Sequence, residues 1–311
     1  MNELQAEYLL WLQNLRDATG GNFDTFFRLL AVLSGEWYLM LPGLIIYWIA
    51  DRRKGAIILS SFAGTVFLCT ILQYAFATPL PEHSIPLLEP MISIPAGYAF
   101  PCHHAAGAAA FFGGLTAAYR HHLGLCSFFG FMIILTTMSG GYAGYCTPSA
   151  GTSGILLGLA FAILVLNLSK TVISNKNADI FITLLAAVPC IAATAAVCSI
   201  ETQSTSDEVA AARTCITSGM FFGTVLGWLV ERRLIRCRIN GSRGDRSLCA
   251  LIGTLLYVIL MTSFCDPACS RFGTGIATFC LCAAVPFAFM TVYPAAVKLL
   301  WAPRGGRDDD M

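Results

Sequence analysis

The sequence predicts an all-helical, polytopic membrane protein, and three observations carry that expectation. Of its 311 residues, 56% are hydrophobic and only 12% are charged, against about 25% charged in a soluble domain. Mean hydropathy is +0.69. Long apolar runs recur along the chain, each near the ~20 residues needed to cross hydrocarbon. A soluble helical bundle of this composition would leave too little polar surface to stay in water.

The runs fall at 27–50, 55–78, 104–119, 123–138, 151–168, 179–198, 215–231, 247–264 and 272–300, about nine transmembrane helices. The third and fourth are short. They read as thin spans or as buried central helices, which sets the count at seven to nine. Four regions follow: a polar, interfacial segment over 1–25, a membrane core over 26–168, additional transmembrane helices over 169–300, and a disordered tail over 301–311 that ends in three Asp. The acidic, polar N-terminus (Glu3, Glu7, Asp17) predicts no cleavable signal, so the first span would direct insertion.

Basic residues set the expected orientation. With nine spans, one side receives only Arg16, Arg28, Arg213 and Arg271 of the 19 Lys and Arg. The other receives the clusters at Arg52 to Lys54 and Arg232 to Arg246. By the positive-inside rule that second side is cytoplasmic. The expectation is a plasma (inner) membrane protein with its N-terminus outside and its C-terminus inside. The same basic runs also suit lipid-binding patches.

In chain order, the first segment carries Tyr8, Leu9, Leu10 and Trp11 on one apolar side. The first span contains Glu36, and a membrane-depth carboxylate is either functional or a hydrogen-bonded structural group. The second span runs through Gln73 and stops at Pro79 and Pro81. Residues 82–100, with Pro86, Pro90 and Pro95, form a loop long enough to cover a site. Phe100-Pro101-Cys102-His103-His104-Ala105 then reads as a helix start. Its free N–H groups and positive dipole end would face whatever lies in front. The third span is rich in Ala and Gly, as are the faces carrying Gly154 and Gly158, and Gly219, Gly223 and Gly227. In lipid such faces are helix-packing surfaces. Arg120, His121 and His122 read as an inner-face charge cap. The stretch Ser139 to Ala150 reads as an outward loop converging with Gln73 to Pro81 on the histidines.

These three stretches, in this order and spacing, resemble the type-2 phosphatidic-acid phosphatase family, whose pattern is K-x6-R-P, then P-S-G-H, then S-R-x5-H-x3-D. The similarity covers roughly residues 26–168. It implies a phosphatidic-acid-phosphatase-like helical core with a lipid-facing site at the outer leaflet. In that family the last His attacks phosphorus, its Asp orients it, the His of P-S-G-H protonates the leaving group, and the Lys and two Arg hold the phosphate. Position by position, His104 keeps its chemistry, while Pro81, Pro101 and Ser139 keep framework roles. Gln73 stands at the Lys position, Leu80 and Gly140 at the Arg positions, Cys146 at the nucleophile and Ala150 at its Asp. Hydrogen bonds to charged groups contribute about 1.5–3 kcal/mol each. Three missing cations therefore forfeit roughly 5–9 kcal/mol, a thousandfold to a millionfold in binding or rate. His83 or His103 can supply one cation but not a bidentate fork.

The expectation is a cavity stripped of positive charge and a chain without ordinary phosphatase activity. A membrane lipid or lipid-linked small molecule is the expected partner, with no cofactor and no nucleic acid. Several uses of the site remain open. One is a non-catalytic pocket lined by Gln73, Leu80, Cys102, His103, Ser139, Gly140 and Ala150. A second is a hydrolase or transferase with Cys146 as nucleophile and His104 as base, or residual lipid-phosphate phosphatase activity. A third is metal binding by Cys102, His103, His104 and Cys146. Neighbours on a helix point about 100° apart, which argues against all four meeting one ion. A fourth is disulfide pairing on the outer face, as Cys102–Cys146, Cys198–Cys215 and Cys265–Cys269.

Overall fold

Apolar helices in lipid must satisfy every backbone polar group internally, and the computed structural model of the chain is helical accordingly. It describes residues 3–81, 85, 89–91, 96–175, 177–236, 243–265 and 273–300. The expected tail over 301–311, together with His83, Cys237, Cys269 and Arg271, lies outside the described residues. The helices are α1 (Glu3–Ala18), α2 (Asp24–Leu33), α3 (Glu36–Ile49), α4 (Arg52–Phe76), α5 (His103–Ala118) and α6 (Leu123–Tyr142). They continue as α7 (Pro148–Ser174), α8 (Ala178–Ser199), α9 (Thr205–Val230), α10 (Arg243–Leu260), α11 (Ile276–Met290) and α12 (Val292–Leu300). Single π turns, Glu231–Ile235 and Met261–Cys265, extend α9 and α10.

Seven described helices are long and apolar enough to cross a membrane, or eight if α2 and α3 form one bent span. The first expected span is thus broken: α2 and α3 meet at 65°, because the chain turns extended at Gly35. Glu36 consequently sits in the first turn of α3, where the helix dipole favours a carboxylate. The third expected span is the central, buried alternative. Helix α5 has 16 residues, about 24 Å, and its Ala105, Ala106 and Ala108 are fully buried.

The fourth span is longer than expected. It reaches Tyr142, so Ser139, Gly140 and Gly141 belong to a helix and not to a loop. Gly144, at φ +89°, ends it in the left-handed conformation that glycine adopts without cost. Thr147 then caps α7, with Pro148 at its first position. Helix α9 begins ten residues before the expected 215, capped by Ser204. Arg213 therefore lies within a helix. On α1, Leu9 and Leu12 are buried while Trp11 is 59% exposed, so Trp11 does not share the packed side.

The small-residue faces act as packing surfaces. A Cβ at Gly154 would collide with the Cys102 carbonyl of α5, and one at Gly158 with the Ala106 carbonyl. On α9, Gly219 and Gly223 press likewise on the Phe279 and Ala283 carbonyls of α11. Close backbone approach of this kind is what holds helices together where lipid removes the hydrophobic driving force.

Charge gathers at the two opposite ends of the bundle. At one end Arg52 pairs with Glu231, Arg233 and Arg232 share Asp179, and Lys298 Nζ donates to the Ile235 carbonyl at 2.9 Å. Lys54 Nζ lies 4.4 Å from the Tyr119 ring centroid at that same end. At the other end stand Glu36, His103, His104 and Arg213.

Overpacking predicts the sign of two substitutions. Gly223→Leu forces α9 off α11 and should cost about 1–3 kcal/mol or more, seen as a lower unfolding temperature in detergent. Gly130→Ala meets open space inside a helix and should leave that temperature unchanged or slightly raised, since alanine is the better helix former.

Candidate functional site

The second stretch enters α5 through carbonyl groups that its neighbours hold. Gln73 Nε2 on α4 donates to the Pro101 carbonyl at 2.8 Å, and Cys69 Sγ donates to the same oxygen at 3.5 Å. The Cys102 N–H donates to the Ala150 carbonyl at 3.0 Å, which ties the second stretch to the third. Two described residues of the preceding loop are tied down nearby. The Met91 N–H donates to the Ala143 carbonyl at 3.1 Å, and the Tyr98 hydroxyl donates to Asp207 Oδ1 at 2.5 Å.

Around this junction a cavity of about 20 Å³ is lined by Gln73, Leu80, Cys102, His103, Tyr145 and Arg213. That volume matches roughly one water molecule. It has no space for a phosphate group. Four of the sequence-predicted positions, Gln73, Leu80, Cys102 and His103, thus share one small space. His104, Ser139, Gly140, Cys146 and Ala150 are not among its lining residues.

His104 has its own partners. The Ser34 hydroxyl donates to the Ala31 carbonyl at 2.7 Å and stands 3.2 Å from His104 Nδ1. With its proton engaged, Ser34 accepts from Nδ1–H, which leaves Nε2 with a lone pair. The Ser139 hydroxyl donates within its own helix to the Thr136 carbonyl at 2.7 Å. At Gly140 a Cβ would meet Cys146 Cβ at 2.8 Å and the Tyr145 ring at 3.1 Å, so no arginine fits there.

The expected loss of all positive charge needs correction. Arg213, from the C-terminal half of the chain, lines the cavity. It does not stand free. Its Nε lies 4.0 Å from Glu36 Oε1, and His103 Nε2 lies 3.6 Å from the same oxygen. Glu36 therefore balances Arg213, and the cluster offers no surplus charge to a dianion. Hydropathy places the start of this helix at 215 and so hides Arg213, which the structure sets inside Thr205–Val230. The available signal was a charge one or two turns inside an Ala- and Thr-rich helix, with an unmatched carboxylate, Glu36, in the first span. Ser34, Tyr98 and Tyr145 carried no comparable signal.

Cys102 lies near Cys146, and Cys198 near Cys215, close enough for the sulfurs of each pair to act electrostatically on each other. All four are free thiols in this structure. The Cys102 sulfur and deep burial push the Cys146 thiol well above its ordinary value, so it stays protonated. Its Sγ faces the Thr147 carbonyl at 3.6 Å, and among the described residues no contact joins it to His104. Among those residues no three His, Cys, Asp or Glu side chains converge as metal ligands would. The pair Cys265–Cys269 falls outside the described side chains.

No family model matches the chain, and neither the curated proteins nor the solved structures include a match.

Two measurements follow from this geometry. Glu36→Gln and Arg213→Gln should each lower stability by about 1–3 kcal/mol, since each strands a partly buried partner. The double variant should lose less than the sum, which thermal unfolding of all four proteins reads as a coupling. If this end faces an oxidising compartment, Cys102, Cys146, Cys198 and Cys215 should resist alkylation in denaturant until a reductant is added.

Proposed function

We propose that this chain is a membrane-embedded, lipid-handling protein with a type-2 phosphatidic-acid-phosphatase-like core but without phosphatase chemistry, a pseudoenzyme. The observation that carries the reading is the small, charge-balanced cavity: about 20 Å³, with Arg213 Nε facing Glu36 Oε1 at 4.0 Å. Phosphoryl transfer depends on surplus positive charge aimed at the transferring group. Here the Lys-equivalent Gln73 is engaged with a backbone carbonyl, and the Gly140 position has no room for a cation. The resemblance of the three stretches supports the core assignment, and their meeting around α5 agrees with it.

The proposed setting is the plasma (inner) membrane, with the site end outside and the arginine-rich end in the cytoplasm. Segregation of Arg52, Arg232, Arg233 and Lys298 to one end supports that orientation. The rival reading, acyl transfer by Cys146 and His104, gains nothing from a buried, protonated thiol that faces another cysteine.

The test is phosphate release by purified protein in lipid nanodiscs. Dioleoyl phosphatidic acid should yield no more phosphate than the His104→Ala variant yields. Robust release that His104→Ala abolishes would overturn the proposal.

A further inference from the structure

A deep cavity lies at the opposite end from the histidines. Its volume is about 650 Å³, within the range of small-molecule sites. It runs between α4, α7, α8 and α9. Arg52 marks one extreme and Leu68 the other along α4, roughly 24 Å of helix. A single leaflet's hydrocarbon is about 15 Å deep, half of the ~30 Å core, so the cavity is at least as deep as an acyl chain's share of the membrane.

Its two ends differ in chemistry. The deep end is closed by aromatic rings: Phe161 against Phe221 at 6.2 Å, and Phe67 against Phe221 at 6.0 Å between centroids. The walls are Val165, Leu168, Val172 and Val225. The mouth carries Arg52, Arg53, Arg232 and Arg236, and Glu231 is its one carboxylate. Glu231 is engaged by Arg52 Nη1, and Arg52 Nη2 remains buried without a hydrogen-bond partner. Asp179, beside the mouth, is held by Arg233. Arg53 and Arg236 form no side-chain ion pair with any described residue. Positive charge is therefore in surplus at the rim, in the form of guanidinium groups, which match phosphate geometry.

The cavity also opens sideways. Helices α7 and α8 are consecutive, joined through 175–177, yet they barely touch. Leu164 and Leu185 line the cavity from these two helices while remaining 48% and 57% exposed. The exposed side chains at this opening are apolar, as a lipid-facing surface would be.

We infer that this cavity holds a membrane lipid with an anionic phosphate headgroup, its acyl chain between α4, α7 and α8 and its phosphate among Arg52, Arg53 and Arg236. The positive-inside rule assigns this end to the cytoplasmic leaflet, where anionic lipids create such attraction. The site is separate from the histidine cluster, and it does not depend on whether that cluster is catalytic.

The experiment uses the full-length protein in detergent, with native mass spectrometry and thermal shift as readouts. Dioleoyl phosphatidylglycerol should bind one molecule per chain, at least about tenfold tighter than dioleoyl phosphatidylcholine with the same chains. Arg53→Gln/Arg236→Gln, at exposed positions with no ion pair to any described residue, should erase that preference while leaving the unfolding temperature of the lipid-free protein unchanged. Leu164→Trp, which fills the lateral opening, should weaken both lipids. Glycerol phosphate should neither bind nor compete, which separates a lipid from a free phosphate. Equal binding of the two lipids, insensitive to the arginine variant, would mean annular lipid only and would overturn the assignment. So would glycerol phosphate competing as well as the intact lipid. The phosphatase assay reads none of these outcomes, so either reading can fail alone.

Discussion

The close contact of α5 with α7 is the constraint on which the rest of the molecule depends. Helix α5 is too short to span hydrocarbon, so it cannot anchor itself by length. Its depth is fixed by its neighbours: Gly154 and Gly158 of α7 lie directly on its carbonyls, and Ile58 and Phe62 of α4 press on Gly114 and Gly107. Once α5 is held, its N-terminus is held too. Pro101, Cys102 and His103 then meet Gln73, Ala150 and Glu36, and His104 meets Ser34.

That same rigidity explains why the histidine end is tightly packed. A polar cluster buried beside hydrocarbon must satisfy itself. Arg213 and His103 approach Glu36 Oε1 at 4.0 and 3.6 Å, and Ser34 engages His104 Nδ1. The Tyr98 hydroxyl pins the neighbouring backbone to Asp207. Where a catalytic site would hold its cations ready and unpaired, this one holds its arginine in a local pair.

Much of the fold was legible in the sequence because membrane solvation is a strong, simple rule. The apolar runs gave the helices, and the Gly spacings at 154/158 and 219/223 gave two tight contacts. Order and spacing brought three separated stretches toward one junction. What escaped depended on where helices begin and end. Hydropathy cannot see that Gly144, and not Ser139, terminates α6, since both are small and neutral. It also discounts polar first turns, so the residues from Thr205 to Thr214 read as loop and Arg213 was assigned only to a side of the membrane. The bend between α2 and α3 is set by the backbone at Gly35 and leaves no trace in average hydropathy. A cavity between helices is a property of their separation, which no linear pattern encodes.

The arginine-rich end asks for more than a topology signal to explain it. Retaining a loop in the cytoplasm requires only that basic residues be present near the ends of spans. It does not require carboxylates within the helices beside them. Yet Glu231 and Asp179 are both almost fully buried, and each fixes an arginine by a direct pair. Burying a carboxylate is costly unless its partner is held in good geometry. The return for that cost is orientation: Arg52 is fixed with one face of its guanidinium paired and Nη2 still unused, at the rim of a deep apolar cavity. Charges that served only to mark a side of the membrane would be solvated, mobile and interchangeable. These are anchored, directional and set at the boundary between polar and apolar walls, which is the arrangement an amphipathic anion selects.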